Sequence, residues 1–201
     1  VSPSLDRKLL EGYTFNIDPA GCTDIDDVFT IGNDGMFYIT IADVSEWVKY
    51  NPDLWTNIHT NAQTMYENGK VVRPMVPFEN ECSLLPNKLR LGLSFGFRIV
   101  NNQVVDAGFY KVAIKNNESF TYDSIKSSPY AGMLRAFTHF ITDEDTDDSH
   151  KWVSSLMIFY NIQVARILRE EGKGILRSHS QPCGEKMERY ASLGVDVDML
   201  S

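Results

Sequence analysis

Ile17-Asp-Pro-Ala-Gly-Cys-Thr-Asp-Ile-Asp-Asp-Val28 brings Asp18, Asp24, Asp26 and Asp27 together within ten residues. Pro19 lacks an N–H and disfavours helical geometry at Asp18, and Gly21 follows almost at once, so a helix is excluded here. The stretch reads as a loop leaving a strand. A lone Asp in a turn is explained by bonds to nearby backbone N–H groups. Four are different, because carboxylates held close repel one another at neutral pH unless a cation sits among them. Hard cations such as Mg²⁺ take oxygen ligands, commonly one or two carboxylates with water and substrate phosphate completing the set. Asp18, Asp24, Asp26 and Asp27 are therefore candidate metal ligands.

Working outward, residues 13–17 and 27–31 have strand character, and Asn33-Asp-Gly35 is a hairpin turn ahead of Met36-Phe-Tyr-Ile-Thr-Ile41. This places the acidic loop at a sheet's edge. A helical pattern over residues 53–66 starts after Asn51-Pro52 and stops at Asn68-Gly69, with Tyr66 at its carboxyl end. Residues 95–100 and 104–115, joined by Asn101-Asn102, predict a second hairpin. Beyond them the spacing turns helical over 130–140 and 152–171, where Leu156, Met157, Tyr160, Val164 and Leu168 form a stripe read as core packing. Gly172, Gly174, Pro182 and Gly184 mark a loop region that contains Arg177-Ser-His-Ser-Gln-Pro182. The expected fold is α+β: a mixed, mainly antiparallel sheet with hairpins in the first ~115 residues, followed by packed helices.

The 201 residues are 43% hydrophobic, ordinary for a globular protein. Without an apolar run of about 18 residues or a secretory signal at the amino terminus, the expectation is a soluble, intracellular chain with no membrane partner. Cys22, Cys82 and Cys183 are odd in number and widely spaced, which argues for reduced thiols rather than disulfides or zinc. A net charge of −8 gives no global basic footprint for nucleic acid, so any such contact must be local. Asp143-Glu-Asp-Thr-Asp-Asp148 lacks the alternating ligands and central Gly of a calcium loop and reads as a solvated connection. His59, His139, His150 and His179 form no metal or triad pattern.

The acidic loop also resembles the metal loop of the ribonuclease II and ribonuclease R exonucleases (the RNB family), and its wording is similar to that of the eukaryotic exosome nuclease. The likeness continues through Ile41-Ala-Asp-Val-Ser45, Tyr66 with Met75-Val-Pro77, Cys82-Ser-Leu84 with Arg90-Leu91, Ser119-Phe-Thr-Tyr122, Met157 to Asn161, and Arg177 with His179 and Pro182. These segments stand in family order, and the resemblance implies that residues 1–201 are the amino-terminal part of an RNB-type catalytic domain.

The resemblance implies a Mg²⁺-dependent, processive 3′-to-5′ exoribonuclease that hydrolyses single-stranded RNA to nucleoside 5′-monophosphates. Asp18 and Asp27 then match the principal Mg²⁺ ligands, Asp26 the position most critical to catalysis, and Asp24 the fourth acid. Tyr66 matches an aromatic on which a base near the 3′ end stacks, and Tyr122 another beside the terminal nucleotides. Arg177 either meets phosphate or pairs with a carboxylate. Two departures matter. Ser154-Ser155 stand where the family carries a pair of Glu residues, and no Ser-Pro-x-Arg-Arg-Tyr stretch supplies an arginine for the scissile phosphate. Expected partners are accordingly single-stranded RNA and the rest of the catalytic domain with cold-shock and S1 modules, or a larger RNA-processing assembly. The alternative is a catalytically inactive RNB-like component of a ribonucleoprotein or nuclease assembly.

Overall fold

β-Branched and aromatic residues recurring over 12–42 fold as three consecutive antiparallel strands. In the computed structural model, which describes residues 6–50, 52–68, 70–76, 81–174 and Glu188, a short β1 (Lys8–Leu9) precedes β2 (Gly12–Ile17), β3 (Asp27–Gly32) and β4 (Phe37–Ala42). The β3–β4 turn follows from Asn33-Asp-Gly35. Gly35 takes φ +75° and donates its N–H to Gly32 O at 3.0 Å, the three-residue hairpin loop in which glycine occupies the left-handed position. Two compact units result, Val1–Arg98 with Asp106–Thr121 and Ile99–Val105 with Tyr122–Ser201.

In the first unit, α1 (Val44–Tyr50) and α2 (Pro52–Asn61) come between β4 and a two-stranded ribbon, β5 (Met65–Glu67) and β6 (Lys70–Arg73). The chain then returns through β7 (Leu89–Val100), β8 (Gln103–Lys115) and β9 (Glu118–Phe120). The main sheet has the order β1-β8-β7-β4-β3-β2-β9. β1 runs parallel to β8 and β9 parallel to β2, whereas β2–β3, β3–β4 and β4–β7 are antiparallel. One side carries Phe15, Phe29, Phe37 and Phe97 in a continuous series of ring contacts. Leu10, Ile25, Val28, Tyr38, Leu84, Val112 and Ile114 form a second buried cluster. Gly96 permits that packing, since a Cβ there would lie 2.4 Å from the Tyr38 ring.

The helical pattern over 53–66 stops earlier than its spacing implies. α2 ends at Asn61, Ala62 turns left-handed at φ +57°, and Tyr66 lies on β5. Asn68, at φ +50°, is part of the ribbon's turn and not a helix stop. Helix α1 was not expected. Asp43 caps it, accepting the Glu46 N–H at 3.2 Å and the Ser45 hydroxyl at 2.6 Å. The guanidinium of Arg7, only 1% exposed, pairs with both Asp43 (2.5 Å) and Glu46 (3.2 Å) and also reaches the Gly92 and Val112 carbonyls. Burial pushes the Asp43 carboxyl up, but hydrogen bonds from Ser45 and Arg7 and the Arg7 charge outweigh it and leave it below its ordinary value.

The second unit contains a 3₁₀ turn (Ser124–Ser127), α3 (Ala131–Thr142) and α4 (Ser149–Glu170). Leu134, Thr138 and Ile141 of α3 and Trp152, Leu156, Phe159 and Tyr160 of α4 are buried, so the expected stripe is core over its first half. The acidic connection is tied down. Arg135 forks onto Asp145 and Asp147, Lys151 meets Glu144, and the Trp152 indole donates to Thr146 O at 2.7 Å. Exposed pairs of this kind contribute little each.

Removing one partner of a buried ion cluster leaves uncompensated charge. Arg7→Ala is expected to cost about 3–5 kcal/mol, read as a lowered urea midpoint.

Candidate active site on the β2–β3 connection

The acidic loop joins two strands that are each paired on both sides, so its ends are fixed. It leaves β2 one strand inside the sheet's edge, which β9 occupies. Asp18 N–H donates to Phe120 O at 3.0 Å and Ala42 N–H donates to Asp26 O at 2.9 Å, extending the β9 and β4 ladders onto the loop. Between them Pro19 and Cys22 close a turn (Cys22 N–H to Pro19 O, 3.1 Å) with Gly21 at φ +80°, the value a type II turn demands of its third residue.

Side chains far away in sequence brace the remainder. The Ser83 hydroxyl accepts the Ile25 N–H at 2.9 Å and donates to Thr23 O at 2.8 Å, and Leu84 N–H donates to Ile25 O at 2.9 Å. Arg90 holds that brace by donating to Ser83 O at 2.9 Å. On the other side the Asn16 amide donates to Asp18 Oδ2 at 2.9 Å. Asn16 Oδ1 in turn accepts from Asn116 (2.8 Å) and Ser119 (2.6 Å). Asn16 and Asn116 are each 1% exposed, so this network fixes the Asp18 carboxylate from inside the protein.

The four acids share one electrostatic environment. Burial, opposed by the Asn16 hydrogen bond and assisted by the charges of Asp26 and Asp24, raises the Asp18 carboxyl. Asp27 is pushed up to about 8 by burial, then by the charges of Asp26 and Asp18 and a hydrogen bond with Asp26. Its Oδ2 is buried with no hydrogen-bond partner. Asp26, the neighbouring residue in the chain, is exposed. Asp24 accepts from the Cys22 thiol at 3.3 Å and from the Tyr66 hydroxyl at 3.2 Å. The thiol is driven up to about 12, mainly by burial and then by that bond to Asp24, so Cys22 is protonated and unreactive at neutral pH. Tyr66 itself is 58% exposed, its ring outside the core.

Among the described residues no group of three or more His, Cys, Asp or Glu side chains is placed to hold a metal ion by itself. The donor set nevertheless suits a hard cation. An orphaned buried carboxylate oxygen next to further carboxylates is what Mg²⁺ uses when water and phosphate fill its other positions. Of the other sequence candidates, Tyr122 belongs to the second unit, where its ring stacks on His150, and Arg177 lies outside the described residues.

A profile of the RNB domain matches residues 7–129. The chain belongs to the RNB domain family. Within it, residues of this chain are 36% identical over 91 residues to ribonuclease R of Mycoplasma pneumoniae, covering 42% of this chain and 12% of that protein. The exosome complex exonuclease dis3 of Schizosaccharomyces pombe is 32% identical over 115 residues, covering 53% of this chain and 12% of that one. The matches thus span about an eighth of each relative's length.

Ribonuclease R of Mycoplasma genitalium, solved with ribose-methylated single-stranded RNA, superposes with a TM-score of 0.74 at 18% identity over 96% of this chain and 39% of its own. Yeast Ssd1, a pseudonuclease, gives 0.71 at 14% identity over 94% and 29%. These structural likenesses establish the RNB fold, which an inactive relative shares.

Because the folded-state value of Asp27 lies above the ordinary 3.8, the folded chain holds this proton over a range where the unfolded chain has released it. Stability of the metal-free protein is therefore expected to fall as pH rises from about 4 to about 8, and Asp27→Asn to remove that part of the decline. Thermal melts in EDTA across this range measure it, with Asp27→Asn melting above the wild type by a few degrees at pH 8.

Proposed function

We propose that this chain is the amino-terminal part of an RNB-type catalytic domain that performs Mg²⁺-dependent, processive 3′-to-5′ hydrolysis of single-stranded RNA to nucleoside 5′-monophosphates. The observation that carries the reading is the buried Asp27 Oδ2, without a hydrogen-bond partner, on a carboxyl that feels the charges of Asp26 and Asp18. Ribonuclease and exonuclease relatives support the reaction class.

In this reading Asp27 and Asp18 hold the cation, Asp18 being oriented by Asn16. When bound, the cation supplies positive charge to the phosphoryl oxygens and acidifies water. Exposed Asp26 stands on the solvent side of the pair, where it orients or deprotonates the attacking water. Asp24 completes the acidic set and anchors Tyr66, whose exposed ring is placed beside the carboxylates to stack a base near the 3′ end. Stacking of about 1–3 kcal/mol per base holds RNA without selecting sequence, which suits a chain of net charge −8. Tyr122 serves as a second stacking residue and Arg177 as a phosphate contact. Single-stranded RNA is the partner, with the rest of the catalytic domain and cold-shock or S1 modules or a larger RNA-processing assembly.

The second reading is a catalytically inactive structural member of the family. The fold shared with yeast Ssd1 and the Ser154-Ser155 departure favour it, and retention of four mutually repelling acids weighs against it. Among the described residues no helix is long and apolar enough to cross a membrane.

In the full-length protein, Asp26→Asn is expected to reduce mononucleotide release by at least about a hundredfold while RNA affinity stays nearly unchanged, checked by single-turnover assays beside anisotropy. Wild-type protein that binds RNA yet releases no mononucleotide with Mg²⁺ would establish the inactive reading. Tyr66→Ala is expected to lengthen the smallest product, because losing a stack loosens the hold on the last nucleotides. An unchanged product ladder would return Tyr66 to a purely local role.

A further inference from the structure

Tyr122 and His150 stack with ring centroids 3.8 Å apart and planes 8° from parallel. Aromatic side chains in proteins usually pair at 4.5–7 Å, offset or edge-to-face. A close, flat contact between a nitrogen heterocycle and a phenol is the arrangement a nucleobase makes on an aromatic residue. We propose that the His150 imidazole is a placeholder for a nucleobase on Tyr122, displaced when RNA enters.

Two observations make the imidazole dispensable to the fold. The cap of α4 uses the main-chain N–H of His150, which donates to Asp148 Oδ1 at 3.0 Å, and not its ring. Tyr122 is tied to the same helix end through its own main chain, its carbonyl accepting the Ser149 hydroxyl at 2.6 Å. Swinging the imidazole away therefore breaks neither the helix terminus nor the attachment of Tyr122. The side chain of His150 is 69% exposed, and in the stacked position its Nδ1 lies 3.4 Å from Asp148, so turning the ring into solvent gives up one exposed contact of little worth. Tyr122 is half-buried, which keeps the phenol in place while its partner changes.

The inference rests on the proposed contact of Tyr122 with RNA, and the two separate experimentally. Binding of fluorescein-labelled oligoadenylate to the full-length protein in EDTA is measured for the wild type, His150→Ala, His150→Phe, Tyr122→Ala and the double variant His150→Ala with Tyr122→Ala. Removing a competitor tightens binding, so His150→Ala is expected to bind about 2- to 10-fold more tightly than the wild type. His150→Phe, which can still occupy the phenol, is expected not to tighten it. Tyr122→Ala should weaken binding and abolish the gain from His150→Ala.

In ¹H NMR the His150 ring protons, shifted upfield by the phenol, should move toward solvent-exposed values as RNA saturates the protein. Unchanged or weakened binding in His150→Ala, with Tyr122→Ala still weakening it, overturns the placeholder and leaves Tyr122 as an RNA contact. Unchanged binding in Tyr122→Ala overturns the contact itself. His150 ring signals that stay upfield at saturation overturn the displacement directly.

Discussion

Repulsion among the carboxylates of the β2–β3 connection is the constraint that the surrounding structure answers. A loop with Asp18, Asp24, Asp26 and Asp27 would relax by splaying them into solvent. Here its two ends belong to paired strands, Ser83 grips its middle, and the Asn16–Asn116–Ser119 network holds Asp18 from beneath. The consequence is an Asp27 carboxyl that burial, then the charges of Asp26 and Asp18, push up to about 8. Perturbed titration of this kind, enforced by burial and like charge, is characteristic of functional sites.

Unequal burial separates adjacent acids. Asp26, just before β3, is exposed, while Oδ2 of Asp27, the first residue of the strand, is buried. Tyr66 enters the site from elsewhere, on a ribbon outside the main sheet, and a single hydroxyl bond to Asp24 links its ring to the acidic loop. Carboxylates inside and an aromatic face outside are the two features on which the proposed hydrolysis of single-stranded RNA draws. Membership of the RNB family fits that division, while the fold shared with a yeast pseudonuclease shows that architecture by itself does not specify turnover.

Much of the sheet was legible because its signals are local. Asn33-Asp-Gly35 and Asn101-Asn102 dictate turns through residues that tolerate positive φ, and Pro19 with Gly21 excludes a helix between β2 and β3. Asp43 and Glu46 carry the spacing of a capping box for α1, a signal that the strand character of the preceding residues masks. Apolar spacing that runs on past Asn61 predicts a helix at Tyr66, whereas pairing with β6 decides its structure. The braces were not legible as chemistry. Ser83 and Ile25 are 58 positions apart and Ser119 and Asn16 are 103 apart, distances over which no sequence period gives notice.

A crystal structure grown with Mn²⁺ and phased on its anomalous signal tests the acidic loop as a metal centre most directly. The expected result is an anomalous peak at coordination distance, about 2.1 Å for a magnesium-sized cation, from Asp27 Oδ2 and an Asp18 oxygen. No peak there, with the Asp27 carboxyl protonated against Asp26 above pH 8, would contradict it.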